Sequence, residues 1–325
     1  MRLWLPLTMA VALAVGVAHA QDKKNKKDDP NQIGNRDIGK CLNVYSLDKE
    51  IALGKQLAQE VQRQAVINTD PLISELVNRI GQNLVRNSDA KVPFSFQVVQ
   101  DDSPNAFALP GGFVFVHTGL IKIADEEDEF AGAMAHEIAH VAARHLTCRA
   151  TKSEIAGLLA LPLGAVLGGW GGVAARQGID LAMPMAFMKF SRQDETEADF
   201  LGVQYMYAAG YDPTGAVSIL EKLESLRRTK PGLGERVFGT HPMDADRIDK
   251  TEKEIQRILA SKPEYLVTTS EYRDMRERLI GMDNRRKNND NDRKPTLRRA
   301  PGAGKPDDQD SPDQRPTIRR RDLVQ

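Results

Sequence analysis

The sequence has 325 residues, with 45 Lys and Arg against 45 Asp and Glu, so its formal net charge is zero. A chain of this length can bury a full hydrophobic core, and length alone allows one to three domains. The balanced charge excludes a strongly basic protein and gives no case for a nucleic-acid partner. Two cysteines, Cys41 and Cys148, allow one disulfide, although spacing alone does not show that they pair.

The first 20 residues have the pattern of a secretory signal peptide. Arg2 supplies the positive charge, residues 3–17 are apolar, and Ala-His-Ala at 18–20 forms a small-x-small cleavage site. We therefore expect an exported protein whose mature chain begins after residue 20. An uncleaved membrane anchor is the alternative. Export implies an oxidising compartment, which permits the two cysteines to form a disulfide.

Two amphipathic helices are predicted after a polar linker. The linker covers residues 21–45, which are mixed in charge and contain Pro and Gly. Apolar residues then recur at helical spacing over residues 46–65 and again over residues 70–85. The second helix has Asp70 before Pro71, a capping residue followed by a first-turn proline. Both apolar faces are expected to lie in the core.

Strand patterns follow these helices. Residues 94–99 alternate large apolar and polar side chains, and residues 113–117 resume that pattern after a Pro-Gly-Gly turn at 110–112. Residues 105–109 between them predict a short edge strand. Such an edge can bind an extended peptide as an added strand. A plain hairpin of a small sheet is the alternative, and the pattern alone favours it.

A helix with two histidines is the strongest chemical signal in the chain. Residues 130–146 are rich in alanine, lack proline and predict an unbroken buried helix. His136, Glu137 and His140 follow the order H-E-x-x-H, so both imidazoles lie on one face and can bind one metal ion. A carboxylate beside metal-activated water can take its proton, which indicates metal-assisted hydrolysis. The alternative is a core helix whose histidines bond to carbonyl groups.

An uncharged, glycine-rich run covers residues 155–175. Its length would span a bilayer, but Pro162 and the glycines at 168–172 interrupt it. We favour a lid over the active-site cleft, with membrane association as the alternative.

A further helix offers a third metal ligand. Ser191 is a good N-cap with Asp194 three residues later, which places Glu195 and Asp199 one turn apart on one face. Glu195 can complete a His-His-Glu zinc site, and Asp199 can accept the second ring proton of a ligating histidine. A solvated acidic face is the alternative, since the helix dipole favours acidic residues in a first turn.

Two more helices are predicted over residues 213–228 and 243–259. His241 precedes the second of them, and Arg247 lies in its first turns. A cation near an open metal position would stabilise a developing oxyanion. The alternative for both residues is an ordinary surface position.

The C-terminal part differs from the domain predicted at residues 46–262. Residues 263–282 are expected to form a helical extension. Residues 283–325 have few apolar side chains, so we predict a disordered charged tail. Pro-Thr-Leu-Arg-Arg at 295–299 recurs as Pro-Thr-Ile-Arg-Arg at 316–320, which suggests a duplicated docking motif or a basic tether as a minority hypothesis.

Four sequence blocks carry a resemblance to a known family. They are PNAFALPGGFVFVHTGL at 104–120, HEIAHVAARH at 136–145, SRQDETEAD at 191–199 and THPMDADRI at 240–248. In this order they resemble the zinc metallopeptidases that include the CAAX prenyl protease, the heat-shock protease HtpX and the periplasmic protease BepA. The exported branch fits better than the branch with multiple transmembrane helices. The C-terminal helical repeats of BepA-like members are not evident in the sequence.

The resemblance implies one zinc ion per chain and gives each site residue a role. The expected zinc ligands are His136, His140 and Glu195. The expected catalytic residues are Glu137 as general base, His241 near the zinc or the oxyanion, and Arg247 beside them. Asp199 is expected to orient a ligand histidine. The residues expected to bind the substrate main chain are Asn105, Ala106, Phe107 and Ala108.

Fold, activity and location also follow from the resemblance. The expected fold is α+β, a mainly helical zincin-like metallopeptidase domain with a small β-sheet. The expected activity is zinc-dependent endoproteolysis of misfolded or unassembled envelope proteins, in the periplasm or at its membrane faces. A latent, chaperone-like binding protein whose zinc site is closed by His241 is the main alternative. A membrane-embedded peptidase is a weaker one.

Overall fold

The structure is a computed structural model that describes four stretches of the chain, residues 26–160, 189–229, 241–242 and 245–292. The predicted signal peptide, most of the 155–175 run and both copies of the repeated tail motif lie outside the described residues. The chain divides into two units, Met1–Gly281 and Met282–Gln325. All the predicted site residues belong to the first unit.

Two capped helices open the domain. Helix α1 is Leu47–Gln64, and the Ser46 side chain accepts the Lys49 N–H at its start. Helix α2 is Pro71–Arg86, with Asp70 accepting the Leu72 N–H ahead of the first-turn proline. Both helices bury an apolar face, as their sequence spacing predicts.

A three-stranded sheet follows, made of β1 (Ser95–Val99), β2 (Ala106–Leu109) and β3 (Phe113–His117). The strand order is β1-β3-β2, with β1 parallel and β2 antiparallel to β3. Strand β2 therefore lies at an edge of this sheet. The turn into β3 needs glycine, because Gly111 and Gly112 both have positive φ. Strand β2 thus forms a hairpin with β3 and is also the edge strand, so the two alternatives are compatible.

Helix α4, Glu127–Ala142, lies at the centre of the domain and follows the short helix α3, Thr118–Ile123. It packs against α2, β2 and the helices α6 and α7, which are Arg192–Ala209 and Thr214–Thr229. The approach to α6 is close at Gly202, where an added Cβ would lie 3.3 Å from the backbone nitrogen of His136. This contact brings the acidic first turn of α6 to the histidine face of α4.

The histidine helix ends earlier than the predicted boundary at 146. Arg144 has a left-handed backbone with φ of 60°, and α5 (His145–Ala160) begins directly after it. The Arg144 guanidinium donates to Glu50 Oε1 at 2.8 Å and also bonds to the Tyr45 carbonyl. These distant partners hold the break, so neither proline nor glycine is needed there.

Helices α8 (Ala245–Ile258) and α9 (Ser270–Asp292) complete the described elements. Tyr272 of α9 packs on Phe130 of α4, and its hydroxyl donates to the Ala124 carbonyl at 3.0 Å. Helix α9 contains the C-terminal part of the predicted extension and continues past the predicted boundary at 283.

The predicted linker is bound to the domain from residue 26 onward, and residues 26–45 are called the N-terminal strap below. Arg36 is buried and forms an ion pair with Asp89 at 2.8 Å. Asp89 also accepts the Tyr205 hydroxyl at 2.9 Å. Because a buried guanidinium needs a paired carboxylate, this cluster fixes the strap in one place.

A disulfide joins the strap to α5. Cys41 and Cys148 are paired, with their Cα atoms 5.9 Å apart and a sequence separation of 107. Beside the disulfide, the Asn43 side-chain amide donates to the Thr147 hydroxyl at 2.8 Å. The pairing that the sequence allowed is therefore present.

The architecture confirms the predicted fold class, α+β with mainly helical structure and one small sheet. Within the stretches that the structure describes, none of the helices combines the length and the apolar character that crossing a bilayer requires.

Candidate metal centre

Four side chains converge on one point between α4 and α6. The donor atoms are His136 Nε2, His140 Nε2, a Glu195 carboxylate oxygen and His241 Nδ1, and they lie within 4.8 Å of one another. The two α4 histidines are 3.0 Å apart at their Nε2 atoms. His241 Nδ1 lies 3.3 Å from His136 Nε2 and 3.1 Å from Glu195 Oε1. Glu195 Oε1 is 3.4 Å from His140 Nε2, and Glu195 Oε2 is 3.5 Å from His136 Nε2.

These separations fit one small tetrahedral ion. Four donors at about 2.0–2.1 Å from a central ion are about 3.3–3.4 Å from each other in a regular tetrahedron. Four separations among the three imidazole nitrogens and Glu195 Oε1 fall between 3.0 and 3.4 Å. Three imidazoles and one carboxylate are also a donor set that transition metals prefer. The cluster is therefore able to bind a metal ion.

Local sequence explains how the donors reach this point. His136 and His140 are one turn apart on α4, so their rings lie on one face. Ser191 and Asp194 form a capping box that starts α6, as predicted, and places Glu195 in the first turn. Glu195 is fully buried, which a carboxylate tolerates only when it is paired.

Asp199 and Arg247 support the donors from outside the cluster. Asp199 Oδ1 lies 2.9 Å from His136 Nδ1, so it can hold the ring nitrogen that faces away from the donors. Arg247 donates through Nε and Nη2 to both Asp199 oxygens at 2.8 Å, and its Nη1 lies 2.7 Å from Glu195 Oε2. This guanidinium therefore joins a donor carboxylate to a supporting one.

The charges in this group shift each other's pKa. Burial raises the pKa of Asp199, but Arg247 and His136 outweigh it and lower the pKa to about 2. Burial lowers the pKa of His136, and its bonds to Asp199 and Glu195 reverse that effect and raise the pKa to about 10. Metal-free protein thus keeps a proton on His136 that a bound ion would displace.

Glu137 lies beside the cluster but outside the donor set. Its Oε1 is 3.3 Å from His241 Nε2, and its Oε2 is buried without a hydrogen-bond partner among the described residues. Burial raises its pKa, while His241, His136 and the Ala108 N–H act in the opposite direction. A buried carboxylate with a raised pKa suits proton transfer.

The residues predicted to bind the substrate differ in the direction that their main-chain groups face. The His117 N–H donates to the Asn105 carbonyl at 2.9 Å, so in this antiparallel pair the main chain of Phe107 also faces β3. The main-chain groups of Ala106 and Ala108 therefore point to the other edge of β2. The Phe107 side chain stacks on Phe115 and is directed into the core.

An apolar cavity opens beside the donors. Its lining includes His136, Glu137, Asn105 and Ala106. Its walls come from α4, α6 and α7, with the side chains of Ala133, Val203, Ala216, Ile219, Leu220 and Leu223. A mostly apolar wall next to a few polar groups is typical of a site that takes a side chain of a ligand.

Three residues near the donors were not singled out from the sequence. His145 contacts the far side of His140, Glu197 contacts His145, and Phe190 stacks on the His140 ring at 3.8 Å between centroids. His145 and Glu197 both occur inside sequence blocks that resemble the family. Their order in the chain gives no sign that they contact each other.

The fold and the site define a metallopeptidase: an H-E-x-x-H helix, a downstream glutamate donor and an edge strand meet at one cleft. The sequence profile of peptidase family M48 matches residues 71–255. The chain belongs to this family.

Named relatives agree with this assignment. The beta-barrel assembly-enhancing protease of Yersinia pestis is 30% identical over 257 residues, covering 76% of this chain and 51% of that protein. The protein of the same name from Escherichia coli (strain K12) is 30% identical over 252 residues, with 75% and 51% covered. The mitochondrial metalloendopeptidase OMA1 of Schizosaccharomyces pombe is 29% identical over 231 residues, with 65% and 63% covered. The chain thus spans about half the length of its bacterial relatives.

Proposed function

We propose that this member of family M48 is a zinc-dependent endopeptidase that cleaves misfolded or unassembled envelope proteins. The observation that carries the proposal is the four-donor cluster with Glu137 at its side and the edge strand β2 close by. Zinc suits the donor set, because it accepts tetrahedral nitrogen and oxygen ligands without redox chemistry. We assign His136, His140 and Glu195 as the zinc ligands.

The proposed reaction is hydrolysis of a peptide bond. A zinc ion held by His136, His140 and Glu195 would polarise the scissile carbonyl as a Lewis acid and would lower the pKa of the attacking water. Glu137 takes a proton from that water and passes it to the leaving amine. Asp199 keeps the His136 ring in the tautomer whose Nε2 faces the cluster.

Strand pairing supplies the proposed mode of substrate binding. Ala106 and Ala108 direct main-chain groups to the outer edge of β2, where the Ala108 N–H bonds to Glu137 and the other groups are placed to pair with an extended peptide. Both side chains are small enough to permit close approach. Pairing through the main chain asks little of the substrate sequence, so unfolded segments of many proteins would qualify. The apolar cavity adds a preference for an apolar side chain near the cleaved bond.

The envelope location rests on the predicted signal peptide and on relatives named for β-barrel assembly. We place the mature protein in the periplasm, with peripheral association at a membrane face. Fractionation of cells that express the full sequence checks this. Recovery of uncleaved protein in the cytoplasm would contradict it.

The decisive experiment compares the wild type with Glu137→Gln for zinc content and for digestion of casein. The variant keeps the side-chain shape and loses the base, so it should bind about one zinc ion per chain and lose cleavage. A variant that cleaves as fast as the wild type would remove Glu137 from the mechanism. Correctly folded wild type that binds no zinc would contradict the metal assignment.

A latent resting form is the second candidate function, and the position of His241 favours it. Its Nδ1 occupies the fourth corner of the donor set, which a catalytic site keeps open for substrate. His241→Ala should therefore raise casein cleavage. The double variant with Glu137→Gln should be inactive, which shows that the added activity comes from the same site. Unchanged or lower activity in His241→Ala would count against latency.

A further inference from the structure

His140 contacts a second histidine through the ring nitrogen that faces away from the donors. Its Nδ1 lies 2.9 Å from His145 Nδ1, and the His145 Nε2 lies 3.4 Å from Glu197 Oε2. His145 is 3% exposed, so this contact is shielded from water. The three side chains form a continuous hydrogen-bonded chain that leads away from the metal centre.

The order of protons along this chain follows from the chemistry of imidazole. A His140 ring that offers Nε2 to a metal carries its proton on Nδ1. His145 Nδ1 must then accept that proton's hydrogen bond, which places the His145 proton on Nε2, facing Glu197. One carboxylate thereby selects the tautomer of both rings.

Glu197 is itself held by the N-terminal strap. Its Oε1 accepts the Lys27 ammonium at 3.1 Å and the Gly39 N–H at 3.2 Å. Both of these contacts come from the strap, so the strap fixes the position of the Glu197 carboxylate.

Gly39 sits where no larger residue fits. Its φ is +61°, and a Cβ on it would lie 2.1 Å from the carbonyl oxygen of Ala143, the residue that ends α4. The strap thus contacts the end of the metal helix while it binds Glu197. Cys41, two residues further on, is bonded to Cys148 of α5.

We propose that His145 and Glu197 are positioning residues that fix the His140 ring for metal binding, and that the strap holds Glu197 in place. The proposal rests on the proposed zinc site. Each α4 histidine then has its own supporting carboxylate: Asp199 contacts His136 directly, and Glu197 acts on His140 through His145.

The test measures zinc affinity of the full mature chain by competition with a chromogenic chelator. His145→Ala removes the acceptor for His140 Nδ1–H and should weaken zinc binding about 10–100-fold. His145→Asn restores an oxygen acceptor near the Nδ1 position and should recover most of the affinity. Glu197→Gln should give an intermediate loss. Glu224→Gln is the matched control, because Glu224 is also ion-paired but lies with Arg227 and Arg228 on α7.

A cobalt spectrum separates positioning from general loss of packing. Co²⁺ bound in place of zinc should give a tetrahedral absorption pattern that changes in His145→Ala and returns in His145→Asn. Equal loss of affinity in both variants would overturn the hydrogen-bond argument, as would wild-type affinity in His145→Ala. If His145→Ala does not fold, His145→Asn and Glu197→Gln carry the comparison with Glu224→Gln.

The zinc-affinity and cobalt measurements do not depend on proteolytic activity. Wild type that binds zinc but does not cleave casein would sink the proposed function and leave the positioning test intact. Wild type that cleaves while His145→Ala keeps full zinc affinity would sink the positioning role alone.

Discussion

Replacing Arg247 with alanine tests how the metal centre holds two carboxylates together. Arg247 is 4% exposed, and its partners Glu195 and Asp199 are 0% and 8% exposed. Three contacts of 2.7–2.8 Å would be lost at once. Removing one partner from a buried ion pair costs about 3–5 kcal/mol, since the remaining charge has no compensation. For a domain of this size that corresponds to a melting temperature about 6–20 °C lower.

The assay is thermal unfolding of metal-free protein, repeated with excess zinc. Zinc should restore part of the loss in Arg247→Ala, because the ion compensates Glu195 when it binds. Arg247→Lys keeps the charge but cannot form the bidentate contact with Asp199, so its melting temperature should lie between those of Arg247→Ala and the wild type. Lys250→Ala, an exposed position on the same helix, is the control and should change stability by less than about 0.5 kcal/mol.

Two results would refute this reasoning. Metal-free Arg247→Ala that melts with the wild type would show that the guanidinium contributes nothing to the fold. A variant with normal stability and zinc affinity but a much lower kcat would instead assign Arg247 to the oxyanion, the role expected from the sequence.

Three further outcomes are expected. Reduction of the Cys41–Cys148 bond, or the double serine variant, should cost about 2–5 kcal/mol because the bond closes a loop of 107 residues; an unchanged urea midpoint would contradict this. Ala133→Leu should narrow the apolar cavity, so mapped cleavage sites in casein should shift toward smaller flanking residues, and an unchanged map would exclude the cavity as a binding site. Asp199 has its pKa lowered to about 2 from 3.8, so it stabilises metal-free protein above about pH 4, and this contribution is lost as pH falls toward 2. Asp199→Asn should flatten that part of the urea stability profile, whereas a profile parallel to the wild type would contradict the ion pairing.

Local patterns were enough to predict the centre of the site. The spacing of His136 and His140 on a helix fixes their common face, and Ser191 starts the helix that carries Glu195. These features depend on neighbours within a few residues, so the sequence contains the whole physical cause. The pattern of residues 105–109 predicted a short strand but favoured a plain hairpin, because its place at the sheet edge depends on the parallel pairing of β1 with β3.

Long-range contacts account for what the sequence did not reveal. The helix break at Arg144 depends on Glu50 and Tyr45, which lie about 100 residues earlier in the chain. The strap looked like a linker because its few fixing residues, such as Arg36 and Gly39, are scattered among polar ones. Their partners become visible only when the chain is folded.

Because of the strap, the metal centre depends on contacts between residues that are far apart in the sequence. Glu197 bonds to Lys27, which is 170 residues away in sequence. His241, which follows both of them in the sequence, contributes a fourth donor. Contacts of such long separation form late, after most of the chain has condensed. Zinc affinity should therefore report completed folding rather than local helix formation. A fragment that begins at residue 46, where the domain was predicted to begin, would keep every donor as well as His145 and Glu197, and would lose the strap contacts that hold Glu197.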